Sequence, residues 1–183
     1  MLKEVVHDSN FDPAAFETVR VGFFGGATMP RPDIEIIIER IGYEHFLQIY
    51  GMTESQGICL TTTPEDSREI QLSCCGYPLP DFDIQLVDPQ TGVQVEGEGE
   101  GEIWMKGRTH LHYEGLDEEV RAGFYSDDGY FRTGDVMRRR ADGRYEFVTR
   151  VKDLIKVGGE NVAAAEIERV LKDHPSVFNV QVV

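Results

Sequence analysis

The sequence predicts an α/β segment, then a β-rich unit, then the start of a further α+β unit. Three observations carry that expectation. Near the N-terminus, apolar runs that stop at glycines flank an amphipathic helix, as buried parallel strands do around a crossover. From about residue 72, short alternating segments and turn residues take over. After residue 150 the pattern returns to strand, glycine loop and helix.

The elements follow in order. Val19–Phe24 (VRVGFF) is an apolar run stopped by Gly25-Gly26, which predicts a buried strand. Pro30 and Pro32 open a helix whose Ile34, Ile37, Ile38 and Ile41 fall at helical spacing before Gly42. A second strand over about Glu44–Ile49 runs into Tyr50-Gly51, and strand–helix–strand suits a parallel sheet that binds ligands beyond its carboxyl ends. Phe82, Ile84 and Leu86 alternate with polar residues, and Asp88–Gly92 (DPQTG) turns the chain. Glu96–Glu102 (EGEGEGE) reads as an acidic turn leading into the strand Ile103–Met105. Asp142-Gly143 marks a hairpin. The last part reads as a strand over about Asp153–Val157, a glycine loop, a helix over about Ala163–Lys172 and a final strand, Phe178–Val183.

Composition narrows the function class. Lys and Arg number 18 against 33 Asp and Glu, a net charge of −15, so a nucleic-acid partner is not expected, since phosphate binding needs clustered cations. The one dense basic run, Arg138-Arg139-Arg140, reads as a solvated strand end beside a turn. No apolar run approaches the roughly 20 residues of a membrane helix, and the first residues lack the apolar core of a secretion signal. A cytoplasmic location is therefore expected. Cys59, Cys74 and Cys75 are read as buried or idle thiols rather than a disulfide framework. They do not combine with His7, His45, His110, His112 or His174 at metal-ligand spacing.

Four stretches carry chemistry. In Tyr50-Gly51-Met52-Thr53-Glu54 a ring could stack on a base, a hydroxyl and backbone N–H could hold a phosphate oxygen, and a carboxylate could hold Mg²⁺. The same five residues read equally as a strand-to-helix cap with Thr53 as N-cap. Thr133-Gly134-Asp135 offers a carboxylate for ribose hydroxyls, or a plain Gly-Asp turn. The segment 150–162 alternates charged and apolar residues, then supplies Gly158-Gly159; it reads alternatively as a charged strand and a glycine turn. Gly25-Gly26-Ala27 suits any tight strand exit.

Taken together and in this order, the stretches GGATMP (25–30), YGMTE (50–54), GYPLPDFDIQLVDPQTG (76–92), GEIWMKG (101–107), GYFRTGD (129–135) and RVKDLIKVGGENVAAAEIE (150–168) resemble the adenylate-forming superfamily. That superfamily comprises acyl-CoA synthetases, peptide-synthetase adenylation domains and beetle luciferases, and the resemblance spans roughly residues 18–183. It implies that residues 1–71 belong to the large N-terminal domain, 72–150 to a small barrel-like β subdomain, and 151–183 to the beginning of an α+β lid.

The resemblance also implies roles. Gly25, Gly26 and Ala27 would border the acyl pocket and the adenine. Tyr50 would lie against the adenine ring, with Gly51 and Met52 beside it near the acyl chain. Thr53 would contact phosphate and Glu54 would ligate Mg²⁺; with Lys156 they are the candidate catalytic residues. Asp135 and Arg150 would hold the ribose hydroxyls, and Lys152 would be the hinge about which the lid turns. Lys156 and Gly158-Gly159 would face the nucleotide in the thioester-forming pose. Gly159-Glu160-Asn161 resembles the acyl-CoA branch, which uses ATP, Mg²⁺ and CoA on a carboxylic acid, fatty or aromatic; the other branch loads a carrier protein.

The chain departs from the pattern too. The family's Ser/Thr/Gly-rich phosphate loop and its C-terminal lysine are absent, and Thr149 stands where a glycine is usual before Arg150. The 183 residues alone are therefore expected to be inactive, a nucleotide-binding or interaction module at most. Both ends are expected to cut through sheets and to expose strand edges through which copies could associate.

Overall fold

A computed structural model describes residues 2–27, 29–109, 114–115, 117–157, 160–172, 174, 176–177 and 180–182. The chain divides into two compact units: Met1–Phe82 with Arg108–His110, and Asp83–Gly107 with Leu111–Val183.

In the first unit, α1 (Leu2–His7) precedes a short 3₁₀ turn, Pro13–Phe16. Then β1 (Val21–Phe24), α2 (Arg31–Ile41) and β2 (His45–Met52) form the expected crossover, with β1 and β2 parallel. Phe24, Phe46, Ile34 and Ile38 make one buried cluster between strands and helix. The other two isoleucines of α2, Ile37 and Ile41, bury Val6 of α1. A fully buried Ile is stabilising by about 1.5–3 kcal/mol, so the helical spacing of these four residues fastens α2 to the strands through Ile34 and Ile38 and to α1 through Ile37 and Ile41.

Beyond β2 the structure differs from expectation. The strand does not stop at Ile49 but runs on through Tyr50 and Gly51, because β3 (Gly57–Thr61) folds back antiparallel against it. A short α3 (Arg68–Ser73), N-capped by Ser67, leads to β4 (Tyr77–Pro78) and completes a sheet ordered β1-β2-β3-β4.

The second unit holds an antiparallel sheet ordered β5-β6-β7-β8: β5 (Phe82–Val87), β6 (Gly99–Gly107), β7 (Phe131–Arg139) and β8 (Tyr145–Arg150), with α4 (Glu118–Ala122) between β6 and β7. Its core is Leu86, Ile103, Met105, Met137 and Tyr145. The Asp88–Gly92 turn is present, with Asp88 accepting from the N–H groups of Gln90 and Thr91. The Asp142-Gly143 hairpin joins β7 to β8.

Only part of the acidic stretch is a turn. Gly99 to Glu102 already lie in β6, where Glu100 faces Arg138 across the ladder and pairs with it. The basic run is a strand end, as read, and its charges are engaged: Arg140 reaches Glu146 at 2.8 Å, and Arg139 donates to the Val95 carbonyl at 2.7 Å.

After a 3₁₀ turn at Val151–Asp153 come β9 (Leu154–Val157), β10 (Glu160–Ala163) and α5 (Ala164–Lys172). The second strand was not expected. Glu160 and Asn161 have little strand propensity, and the antiparallel partner β9 draws them into a hairpin. Gly158-Gly159 lie outside the described residues. Of the expected strand at 178–183, residues 180–182 are irregular and the remainder lie outside the described residues. All three cysteines are buried. Among the described residues no helix is long and apolar enough to cross a membrane, and no cluster of three metal-ligating side chains occurs.

Candidate functional site

The candidate residues fall into two groups, one in each unit. In the first, β1 ends at Phe24 and hands the chain to Gly25, Gly26 and Ala27, which are exposed. A β-carbon at Gly25 would overlap the carbonyl oxygen of Ile49, so the exit of β1 is pressed against the residue before Tyr50. Gly51 is constrained from the other side, where a β-carbon would overlap the Gly57 carbonyl of β3. Both glycines are thus demanded by strand packing alone. The fold brings stretches 24 residues apart in sequence (Gly25 to Ile49) into contact.

Tyr50 is buried, Gly51, Met52 and Glu54 are half-buried, and Thr53 is exposed. Between the pairs Tyr50↔Leu60 and Gly51↔Ile58 the β2 strand advances one residue while β3 advances two, so β3 bulges at Cys59 opposite the start of the motif. Thr53 is not an N-cap: the 3₁₀ turn Thr53–Ser55 starts after Met52, and Ser55 makes the local bonds. The Ser55 hydroxyl accepts from the Met52 N–H at 3.0 Å and lies 2.5 Å from the Gly57 carbonyl, to which it donates. Ser55 is fully buried, so its short polar side chain fixes the turn that presents Thr53 and Glu54. The sequence held a signal for it, a small hydroxyl residue at the third position of the turn.

The second group is built on β7 and β8. Asp135 and Arg150 are register partners, with Arg150 Nε 3.3 Å from Asp135 Oδ1. The carboxylate is 8% exposed and the guanidinium 57%, so a shielded anion sits beside a cation with solvent-facing donors. Gly134-Asp135 is not a turn. Between the pairs Glu102↔Val136 and Trp104↔Arg132 the β6 strand advances two residues while β7 advances four, so Thr133–Asp135 bulge out of the ladder. Gly134 takes φ +74°, the left-handed region that favours glycine.

The amides freed by the bulge find side-chain partners. Gly134 N–H donates to Glu102 Oε1 at 2.9 Å, Asp135 N–H to Thr133 Oγ1 at 3.1 Å, and the Thr133 hydroxyl to the Ile103 carbonyl at 2.7 Å. The reading of 96–102 as a turn hid Glu102. Thr149 is buried in β8 opposite Val136, so no tight turn is needed where it replaces glycine. Lys152 is exposed in the 3₁₀ turn after Arg150, and Lys156 lies in β9 with Asn161 as its register partner.

A half-buried carboxylate beside an exposed hydroxyl suits Mg²⁺ that keeps most of its oxygen ligands from phosphate and water, so Thr53 and Glu54 fit that ion. Asp135 and Arg150 together accept and donate, which is what the vicinal hydroxyls of a ribose require.

The family model described as "AMP-binding enzyme" matches residues 1–112. The putative acyl-CoA synthetase YngI of Bacillus subtilis is 31% identical over 178 residues, covering 97% of this chain and 32% of that protein. Among solved structures, the O-succinylbenzoate coenzyme A synthetase MenE of Bacillus subtilis, in complex with ATP and magnesium ion, superposes with TM-score 0.76 at 32% identity, over 97% of this chain and 36% of that one. An ATP-bound RpMatB–BxBclM chimera superposes with TM-score 0.83 at 25% identity, over 100% of this chain and 35% of that one. The chain spans about a third of the length of the curated relatives it matches.

Proposed function

The chain belongs to the AMP-binding enzyme family, and from that premise we propose that it carries the nucleotide-site region of an ATP-dependent acid–thiol ligase. The whole protein activates a carboxylic acid, fatty or aromatic. A carboxylate oxygen attacks the α-phosphorus of ATP, pyrophosphate leaves and an acyl-AMP forms. The thiol of CoA then attacks the acyl carbon, giving a thioester and AMP. Likeness to acyl-CoA synthetases and ligases over nearly the whole chain supports the CoA branch over carrier-protein loading.

The observation that carries this reading is the cross-strand pair of Asp135 and Arg150. Residues 15 apart are held side by side, a carboxylate to accept from the ribose hydroxyls and a guanidinium to donate to them. In the first unit Tyr50 packs against the adenine, Gly25, Gly26 and Ala27 border the adenine and acyl pocket, and Gly51 and Met52 line the acyl chain. Thr53 binds a phosphate oxygen and Glu54 holds Mg²⁺, which when bound neutralises charge developing on the phosphates. Lys152 is the hinge and Lys156 serves the thioester step. The protein works in the cytoplasm.

The test is turnover by the full gene product. ATP, Mg²⁺, CoA and a panel of fatty and aromatic acids should give acid-dependent pyrophosphate, AMP and thioester in equal amounts. Thioester formation without AMP release would refute the reaction assigned.

A further inference from the structure

We infer that Glu102 is a positioning residue for the nucleotide site, acting on ribose through Asp135; the inference rests on the ribose role proposed above. Glu102 lies on β6 and its register partner is Val136, the residue after Asp135. Where β7 bulges, the Gly134 amide loses its place in the ladder and donates instead to Glu102 Oε1 at 2.9 Å. On either side of that bond the Thr133 hydroxyl is tied to the Ile103 carbonyl and Asp135 N–H to Thr133 Oγ1. The neighbours Glu102 and Ile103 therefore fix all three residues of the bulge, and Asp135 is its last member.

Glu102 differs from its neighbour on the same strand face. Glu100 forms an ion pair with Arg138, as an ordinary solvated ladder residue does. Among the described residues Glu102 forms no ion pair, and its recorded bond goes to a backbone amide of the bulge. A carboxylate accepting from an amide makes a charge-assisted bond, roughly twice as strong as a neutral one. A bulge re-aims the side chains it carries. Anchoring its glycine therefore sets the direction in which Asp135 presents its oxygen atoms.

The experiment compares the full gene product with Glu102→Ala, Glu102→Gln, Asp135→Asn and the double variant Glu102→Ala/Asp135→Asn. The readout is the ratio of dissociation constants for 2′,3′-dideoxy-AMP and AMP, alongside thermal midpoints. Glu102→Ala should cut the ratio about tenfold. Glu102→Gln, whose amide oxygen still accepts from Gly134, should hold it within about threefold. The double variant should show no ratio below that of Asp135→Asn alone.

A merely structural strut would lower the thermal midpoint of Glu102→Ala and leave the ratio intact, which overturns the inference. Equal loss in Glu102→Gln and Glu102→Ala overturns it too. Should Glu102→Ala not fold, Glu102→Asp keeps the charge but shortens the reach. It must then show the tenfold loss, with faster amide exchange at Gly134, and an unchanged ratio refutes the proposal. An unchanged ratio in Asp135→Asn defeats the ribose role itself, an outcome distinct from a failure at Glu102.

Discussion

Arg150 Nε lies 3.3 Å from Asp135 Oδ1, the two being register partners on β7 and β8. An ion pair whose arginine is more than half exposed adds little stability, with about 0–1 kcal/mol typical of such pairs. Stability therefore does not account for placing a shielded carboxylate at the end of a bulge that also needs a left-handed glycine. The ribose role proposed for the pair requires that placement.

Glu54 and Lys156 should separate the two chemical steps. Glu54→Gln keeps the size and loses the charge, so acyl-AMP formation should slow by roughly 10²-fold, about 2.7 kcal/mol of transition-state stabilisation. Lys156→Ala should leave that step within about threefold and slow thioester formation from supplied acyl-AMP by about tenfold or more. Single-turnover assays of each step by the full gene product decide. Equal slowing of both steps by Lys156→Ala contradicts its assignment to the second.

Gly51 should resist substitution more than Gly26. At Gly51 an added β-carbon meets the Gly57 backbone carbonyl, which cannot swing away, and overpacking of this kind costs about 1–3 kcal/mol. At Gly26 the space is open, and the cost is the left-handed backbone alone, about 1–2 kcal/mol. Denaturant midpoints should fall further for Gly51→Ala than for Gly26→Ala. The reverse order would show that β3 does not press on β2 here.

Much of this was legible in the sequence because it follows from local patterns. The isoleucine spacing of α2, the Asp88 turn and the Asp142-Gly143 hairpin each depend on a few neighbouring residues. What was hidden depends on partners distant in the chain. Tyr50 to Met52 are strand because β3 returns against them, and Glu160-Asn161 are strand because β9 precedes them. The bulge at Thr133–Asp135 is invisible without the register of β6, so Glu102 read as one acid among several in a turn. Ser55 is hidden in the sequence because Thr53 is the more obvious cap.

Tyr130 should ionise later than a free tyrosine. Its hydroxyl donates to Asp83 Oδ2 at 2.6 Å, and that bond first, then desolvation and the carboxylate's charge, push its pKa up to about 12. The folded value lies above the unfolded one, near 10. The contribution to stability is therefore full below about pH 10 and is lost as pH rises through about 12. Tyrosinate absorbance should show a late step that is absent in Tyr130→Phe and moves to lower pH in Asp83→Asn. A titration of Asp83→Asn that matches the parent would exclude the bond as its cause.

The ribose role of Asp135 and Arg150 predicts a preference for nucleotides that carry both ribose hydroxyls. Calorimetric titration of the full gene product with AMP and with 2′,3′-dideoxy-AMP measures this most directly. A hydrogen bond to a charged group contributes about 1.5–3 kcal/mol, so AMP should bind about tenfold more tightly or better. Asp135→Asn should lose most of that preference while retaining the fold. Equal affinity for the two nucleotides, or a preference untouched by Asp135→Asn, would contradict the assignment.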